Sequence, residues 1–432
     1  MSPELIGIIA IVVLLFLTYS RMWVGLAMLF VGFWGIVILL GWKVGLSVLA
    51  TVPYRNVAQY PMTAMPLFIL MGVVVANTGL GADLFKSAHK WIGQLRGGLA
   101  SATVAACAGM AAMSGTGMAG MATMGKVALP EMKKHKYDDR LASGCIVAGS
   151  TIGDLIPPSM GFILYGILTE TSIGPLFIAG IIPGVLLAAF YMGTIYILCR
   201  INPMMGPPGP RTSLKEKVIS LKDTWGMMLL FLLVVGGIYK GIFTPTEAGA
   251  IGAFGTIVIT LLAGRLNSRI FVKSILETTQ ITAMMFLLIA GAFVFNTLVV
   301  LSNLGSFLGD FVVGLPFSSI FVLIAIMAMY IILGIFLDVM SCILITVPIF
   351  FPIVVAMGFD PIWYGVLMVR VMEVGTITPP MGMGAFMFSG ITGLPVGTVF
   401  RGIIPFTIAD LFHIALLIAF PAISLYLPLM MK

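Results

Sequence analysis

The chain has 432 residues, of which 60% are hydrophobic and only 9% charged, with a mean hydropathy of +1.14. So little charge cannot cover the surface of a water-soluble fold of this length, which excludes a soluble enzyme or binding domain. The net charge of +7 sits in short loops between apolar runs, where Lys and Arg set membrane orientation, so it does not point to nucleic acid.

Apolar runs long enough to cross a hydrocarbon core recur along the chain: Leu5 to Thr18, Met22 to Leu40, Leu176 to Leu198, Met227 to Tyr239 with its flanks, and Ile403 to Tyr426. They predict an all-α polytopic membrane protein. The first run has no basic segment before it and leads past Arg21 directly into the second, so no cleaved signal peptide is expected. Residues 1–60 are read as N-terminal scaffold spans. Cys107, Cys145, Cys199 and Cys342 stand singly in or beside apolar runs and are read as packing residues. His89, His135 and His413 are scattered, and no HExxH, P-loop or GxGxxG occurs, so no catalytic site is expected.

The segments 86–96 (KSAHKWIGQLR) and 133–140 (KKHKYDDR) are basic, as is the linker 199–223 with Arg200, Arg211, Lys215, Lys217 and Lys222. All three are expected on the cytoplasmic side. Residues 97–130 lie between two such loops and must leave on the side they entered, which predicts a re-entrant hairpin with its tip near MSGTGMAG, 113–120. Next comes a helix over 141–169, interrupted near 153–158 because the Pro157-Pro158 pair lacks two backbone donors and frees carbonyls upstream. Within hydrocarbon such carbonyls are tolerated only against protein or a cavity, where they become ligands for a cation.

Shifting the sequence by 222 positions aligns its punctuation without a gap. Pro130 falls on Pro352, Asp138 on Asp360, Gly153 on Gly375, Pro157-Pro158 on Pro379-Pro380, and Gly180-Ile181-Ile182-Pro183 on Gly402-Ile403-Ile404-Pro405. Only 10 of 55 positions between 129 and 183 are identical, but nine of those are Pro, Gly, Asp or the GIIP block. The partners of the two basic loops, 313–319 and 353–361, carry no Lys or Arg, so the repeat is expected to be inverted. The first repeat core then covers 61–200, a cytoplasmic linker 201–224, second scaffold spans 225–280, and the second repeat core 281–432. The second core holds a hairpin over 320–352 with its tip near GIFLDVMS, 334–341, a broken helix over 361–391, and the last span. Inverted repeats with discontinuous helices belong to secondary transporters, whose site lies between the repeats.

Oxygen ligands cluster at these features: Ser150, Thr151 and Ser159 at the first break, Thr376 and Thr378 at the second, Ser114, Gly115, Thr116 and Gly117 at one tip, Asp338 and Ser341 at the other. Carbonyls and hydroxyls suit Na⁺, and half-helix N-termini suit an anion, so two pseudo-symmetric Na⁺ sites are expected to flank one anion site. Each hydroxyl taken singly could instead bond its own helix, and each glycine could serve only close packing. Asp154, Asp338, Arg370 and Glu373 are intramembrane charges and therefore functional candidates. Arg370 and Glu373, spaced i,i+3, could equally form a structural ion pair. Asp410 and His413 share a helix face and suggest a scaffold hydrogen bond. Glu247 in FTPTEAG reads as a helix start, with Thr244 or Thr246 as cap. Isolated carboxylates and histidines, against paired hydroxyl and carbonyl clusters, favour Na⁺ over a proton route.

At these residues the chain resembles the large membrane subunit of the tripartite ATP-independent periplasmic (TRAP) transporters, within a superfamily of elevator-type carriers. The resemblance rests on SGTGMAGMATMGKVALPEM (114–132), LIPPS (155–159), YGILTETSIGPLFIAGIIPG (165–184), GIFLDVMSCILITVPIFFPIV (334–354) and EVGTITPPMGM (373–383). It implies a Na⁺-driven importer of an organic acid in the bacterial cytoplasmic membrane, with no cofactor beyond the coupling ion. Its expected partners are a small four-helix membrane subunit on a separate chain and an extracytoplasmic substrate-binding protein. Carried over by motif, the Na⁺ ligands fall at Ser114 to Gly117 with Gly149, Ser150, Thr151 and Gly153, and at Leu337, Asp338 and Ser341 with Gly375, Thr376 and Thr378. The substrate would lie between them, near Asp154, Pro157, Ser159, Arg370, Glu373 and Pro379. Two departures stand out: Asp154 occupies a position expected to be apolar, and the first tip reads SGTG where an SGS-like pattern is usual. The alternative is a stand-alone Na⁺- or H⁺-coupled carboxylate carrier of the same superfamily that needs no binding protein.

Overall fold

A computed structural model describes residues 2–20, 22–209, 212–305, 307–308 and 316–431; Arg21, Arg211 and the start of the 313–319 loop, all used above, lie outside the described residues. Among the described residues every regular element is helical. The chain opens with α1 (Pro3–Tyr19), α2 (Val24–Leu40) and α3 (Trp42–Val57), then α4 (Ala64–Asn77) and α5 (Leu80–Ile92). The first repeat continues through α6 (Gly98–Ser114), α7 (Gly117–Lys134), α8 (Asp139–Ser150), α9 (Met160–Thr169) and α10 (Ile173–Ile201). Then come α11 (Leu214–Leu221), α12 (Trp225–Tyr239), α13 (Pro245–Leu262) and α14 (Ser268–Leu301). The second repeat runs through α15 (Ser319–Phe336), α16 (Val339–Ala356), α17 (Pro361–Ile377), α18 (Met383–Thr392), α19 (Val396–Ala419) and α20 (Ala422–Leu429). Seven helical stretches are long and apolar enough to cross a membrane, or eight if α11 and α12, bent by 58° at their junction, count as one span. Large apolar side chains point outward, among them Leu232, Phe254 and Phe412, as lipid contact requires.

The repeat seen in the punctuation extends to whole elements. Adding 222 to Gly117–Lys134 gives Val339–Ala356, the bounds of α16, and the other core helices agree within a few residues. Local chemistry fixes these edges. Asp138 and Asp360 each cap the next helix, accepting from backbone N–H groups at Arg140 and at Ile362 with Trp363. The reading of Glu247 holds: Thr244 and Glu247 form a reciprocal capping box, with Pro245 in the first turn.

Two predicted elements differ in detail. The last run, 403–426, is not one helix: α19 ends at Ala419 because Pro421 cannot continue it, and α20 follows. The hydrophilic linker contains α11, started by a Ser213–Glu216 capping box. Hydrogen bonds from the Ser213 backbone and hydroxyl hold the exposed Glu216 carboxyl below its usual range. α11 lies on α5, where the Trp91 indole N–H donates to the Lys217 carbonyl at 3.1 Å.

Backbone contact through small residues holds the bundle together. α2 lies against α14, where a Cβ at Gly32 would meet the Phe295 amide nitrogen at 2.8 Å. α8 crosses α19 at Gly144 and Gly402, whose backbones touch. α17 in turn packs on α10, so each repeat's broken helix rests against the last long helix of the other.

Candidate functional site

Both predicted hairpins and both breaks are present, and they meet. α6 and α7 are joined through Gly115, whose φ of +64° favours glycine, and through extended Thr116. α15 and α16 are joined by Leu337 and Asp338. In the first break, α8 stops at Ser150, a single 3₁₀ turn covers Thr151–Asp154, and α9 begins at Met160. Ser159 ties this break together: its hydroxyl donates to the Asp154 carbonyl at 2.6 Å and accepts from the Phe162 amide at 3.3 Å. In the second break, α17 ends at Ile377 and α18 resumes at Met383. Pro157-Pro158 and Pro379-Pro380 occupy equivalent places, both with cis bonds.

Each tip is fastened to a break. The Met160 amide donates to the Gly115 carbonyl at 3.3 Å, and the Gly117 amide donates to Asp154 Oδ2 at 3.2 Å. A Cβ on Gly153 would lie 2.9 Å from the Gly117 nitrogen, so only glycine permits this approach. In the other half a Cβ on Gly375 would lie 2.6 Å from the Ile331 carbonyl oxygen and 2.7 Å from Gly334 Cα. Asp338 caps α16, accepting from the amides of Met340 (3.1 Å) and Ser341 (3.2 Å) and from the Ser341 hydroxyl.

Tips and breaks enclose a cavity of about 450 Å³, closed on the opposite side by Met22–Leu26 at the start of α2 and by residues of α14 between Met284 and Leu288. Of the residues singled out from sequence, Thr116, Gly117, Ser150, Thr151, Asp154, Asp338, Ser341, Glu373 and Thr376 line it. Ser114, Gly115, Gly149, Gly153, Leu337, Gly375 and Thr378 are neighbours in the same tips and breaks without lining the wall, as are Pro157, Ser159 and Pro379. The repeat also shows in the wall: Thr151 corresponds to Glu373 and Asp154 to Thr376, so each break supplies one threonine and one carboxylate with their places exchanged, and at the tips Thr116 corresponds to Asp338. The methionines Met118, Met121, Met284, Met285, Met340 and Met383 also line it; in so apolar a sequence nothing distinguished them.

Three expectations about charges change. Arg370 neither lines the cavity nor pairs with Glu373: its guanidinium turns away, wholly buried, to an ion pair with Asp410, and donates to the Tyr191 hydroxyl (3.3 Å) and Thr151 Oγ1 (3.5 Å). Tyr191 also donates to Asp410 at 2.5 Å. Asp410 therefore does not bond His413, whose Nε2 instead meets the Pro183 carbonyl at 3.0 Å. A partner on another helix has displaced the i,i+3 neighbour in each case. Third, the carboxylates that stand apart in the sequence share one cavity, where the Asp154 and Glu373 side chains meet. Their isolation therefore no longer argues against a proton.

A multi-pass helical bundle with two hairpins and two broken helices around one central cavity defines a membrane transporter. The chain belongs to the family described as "Tripartite ATP-independent periplasmic transporter, DctM component", whose sequence model matches residues 11–423. It is 36% identical over 377 residues to the C4-dicarboxylate TRAP transporter large permease protein DctM of Pseudomonas aeruginosa, covering 87% of this chain and 88% of that one. It is 30% identical over 413 residues to the sialic acid TRAP transporter large permease protein SiaM of Vibrio cholerae, covering 95% and 96%. In fold it is similar to the YdaH transporter of Alcanivorax borkumensis, with a TM-score of 0.65 at 15% identity, covering 88% of this chain and 89% of that one. The relatives are transport permeases and not enzymes, and the chain is a multi-pass inner-membrane protein. Family membership implies association with a small membrane subunit and a substrate-binding protein.

Proposed function

We propose that the chain imports an organic acid, coupled to Na⁺, through the cavity between its two repeats, from a substrate-binding protein that delivers the acid on the extracytoplasmic side. The observation that carries this reading is the convergence of both tips and both breaks on one cavity. Na⁺ is assigned to two places related by the repeat: Ser114–Gly117 with Gly149–Gly153, and Leu337–Ser341 with Gly375–Thr378. In both, a hairpin tip meets a helix break, where carbonyl and hydroxyl oxygens accumulate. Asp338 adds a full negative charge to the second. The tips and breaks would move as one body against α2 and α14, carrying the acid across in an elevator motion.

The test is uptake into proteoliposomes holding this chain and its small subunit, with labelled dicarboxylates, sialic and other sugar acids and small sulfonates, and with and without the binding protein. Uptake should require an inward Na⁺ gradient and the binding protein. Uptake indifferent to the binding protein would move the chain to the stand-alone carriers, and uptake driven by a proton gradient alone would remove the Na⁺ assignments. Asp338→Ala should depress Na⁺-dependent uptake sharply while folded protein stays in the membrane; unchanged uptake takes Asp338 out of the site.

A further inference from the structure

α11 belongs to the hydrophilic linker, yet its apolar residues point outward. Leu214 is 77% exposed and Val218 61%, and one turn apart they form a row along the helix. Lys215 and Lys222, seven positions apart and both exposed, run beside that row. A short helix with one apolar and one basic edge, bent by 58° from α12, suits the boundary between lipid headgroups and acyl chains. Trp91 and Trp225, both exposed, flank it, and tryptophan is enriched at that boundary.

Beside α11 lies an open groove of about 220 Å³. Small residues of α5 and α6, namely Ser87, Ala88, Ala105 and Ala106, leave the space, and Leu221 and Met228 bound it on the side of the α11–α12 bend. The polar groups around it already have partners. Ser220 donates to the Lys217 carbonyl at 2.6 Å and accepts from Ser87 at 3.2 Å, and the Thr224 hydroxyl donates to the Leu221 carbonyl at 3.3 Å. What the groove offers a guest is therefore contact with hydrocarbon.

The two helices that bound it are basic. Lys86 and Lys90 on α5, with Lys215, Lys217 and Lys222 on α11 and its C-cap, outnumber Asp83, Glu216 and Asp223. Two of those acids are engaged, Asp83 by Arg265 and Glu216 by Ser213. Lysines on an amphipathic helix at the cytoplasmic surface attract the anionic headgroups of that leaflet.

We propose that the groove between α5, α6 and the α11–α12 bend is a docking site for an anionic phospholipid of the cytoplasmic leaflet, with an acyl chain along the groove and the phosphate on the lysines of α11. The site lies outside the central cavity and does not depend on what that cavity carries.

The test uses the complex with the small subunit, stripped of lipid in a neutral detergent, and reads its melting temperature as phosphatidylglycerol or phosphatidylcholine with the same chains is added. Phosphatidylglycerol should raise the midpoint by about 2 °C or more beyond phosphatidylcholine. Lys215→Gln, Lys217→Gln and Lys222→Gln together should erase that difference. Lys133→Gln, Lys134→Gln and Lys136→Gln together, which remove the same charge from exposed positions at and beyond the end of α7, should keep it. Ala88→Phe, which fills the groove, should weaken it, and glycerol 1-phosphate, which has no chains, should not reproduce it. An equal response to the two lipids, a difference that survives the α11 variant or is lost equally in the α7 variant, or the full effect from glycerol 1-phosphate overturns the proposal. So does an undiminished effect in folded Ala88→Phe. A photoreactive amino acid at Met228 that captures the small subunit in place of phospholipid also overturns it, since the groove then belongs to a protein. If Ala88→Phe fails to fold, the lysine variants decide, because they leave the packing in place.

Discussion

Arg370 shows why a charge inside a membrane helix cannot be assigned from its neighbours in sequence. Its pair with Asp410 has no exposed surface on either side, and Tyr191 and Thr151 from the first repeat complete the cluster. Such a pair contributes little net stability relative to apolar residues of the same shape, yet removing one partner strands the other charge. Asp410→Ala should therefore cost about 3–5 kcal/mol, read as a lower unfolding midpoint in detergent. The double variant Arg370→Met with Asp410→Leu should recover most of that loss, because no charge is left without its partner. A double variant as unstable as Asp410→Ala would mean that the cluster is held by its hydrogen bonds to Tyr191 and Thr151 more than by the ion pair. None of this was legible in the sequence, where Arg370 and Asp410 lie 40 positions apart on different helices. Periodicity could offer only Glu373 and His413, each one turn away on its own helix.

Helix ends were far more legible, because the residues that set them act locally. Proline pairs lack donors, aspartates cap, and glycines turn, whatever surrounds them, so the proline pairs mark both breaks, the loop charges mark the hairpins, and the offset of 222 relates one half to the other. The cavity's closing wall was not legible: α2 and α14 contribute Val24, Leu26, Leu287 and Leu288 among others, residues no different from those facing lipid. Glycines fall between these cases, visible in sequence but with partners known only from the fold. Gly375 makes a backbone crossing with Gly334, the contact that sets the second hairpin against its break. Gly375→Ala would place a methyl group 2.6 Å from the Ile331 carbonyl and should destabilise the protein by about 1–3 kcal/mol. Its uptake should fall further than that loss explains, since the displaced elements form the second Na⁺ assignment. Gly120→Ala, where the added Cβ meets nothing within 4 Å, is the control expected to behave as wild type.

For the whole molecule the question is which parts move together. α8 interlocks with α19 and α17 packs on α10, which ties the two repeats together, and α2 packs closely on α14. The cavity lies between them. Carriage of substrate by the entire core requires relative motion along that boundary, whereas gating by a hairpin tip alone does not. Met284 on α14 and Met383 on α18 both line the cavity and are 51% and 38% exposed, and neither belongs to a hairpin tip. Replacing both with cysteine and joining them with a reducible bifunctional reagent should abolish Na⁺-driven uptake, and reduction should restore it. Cys107, Cys145, Cys199 and Cys342 are buried, so the reagent has little else to modify, and each single cysteine variant should keep its uptake after treatment. Full uptake in the cross-linked double variant would mean that α18 holds its place against α14 during transport, leaving the hairpin tips as the moving parts.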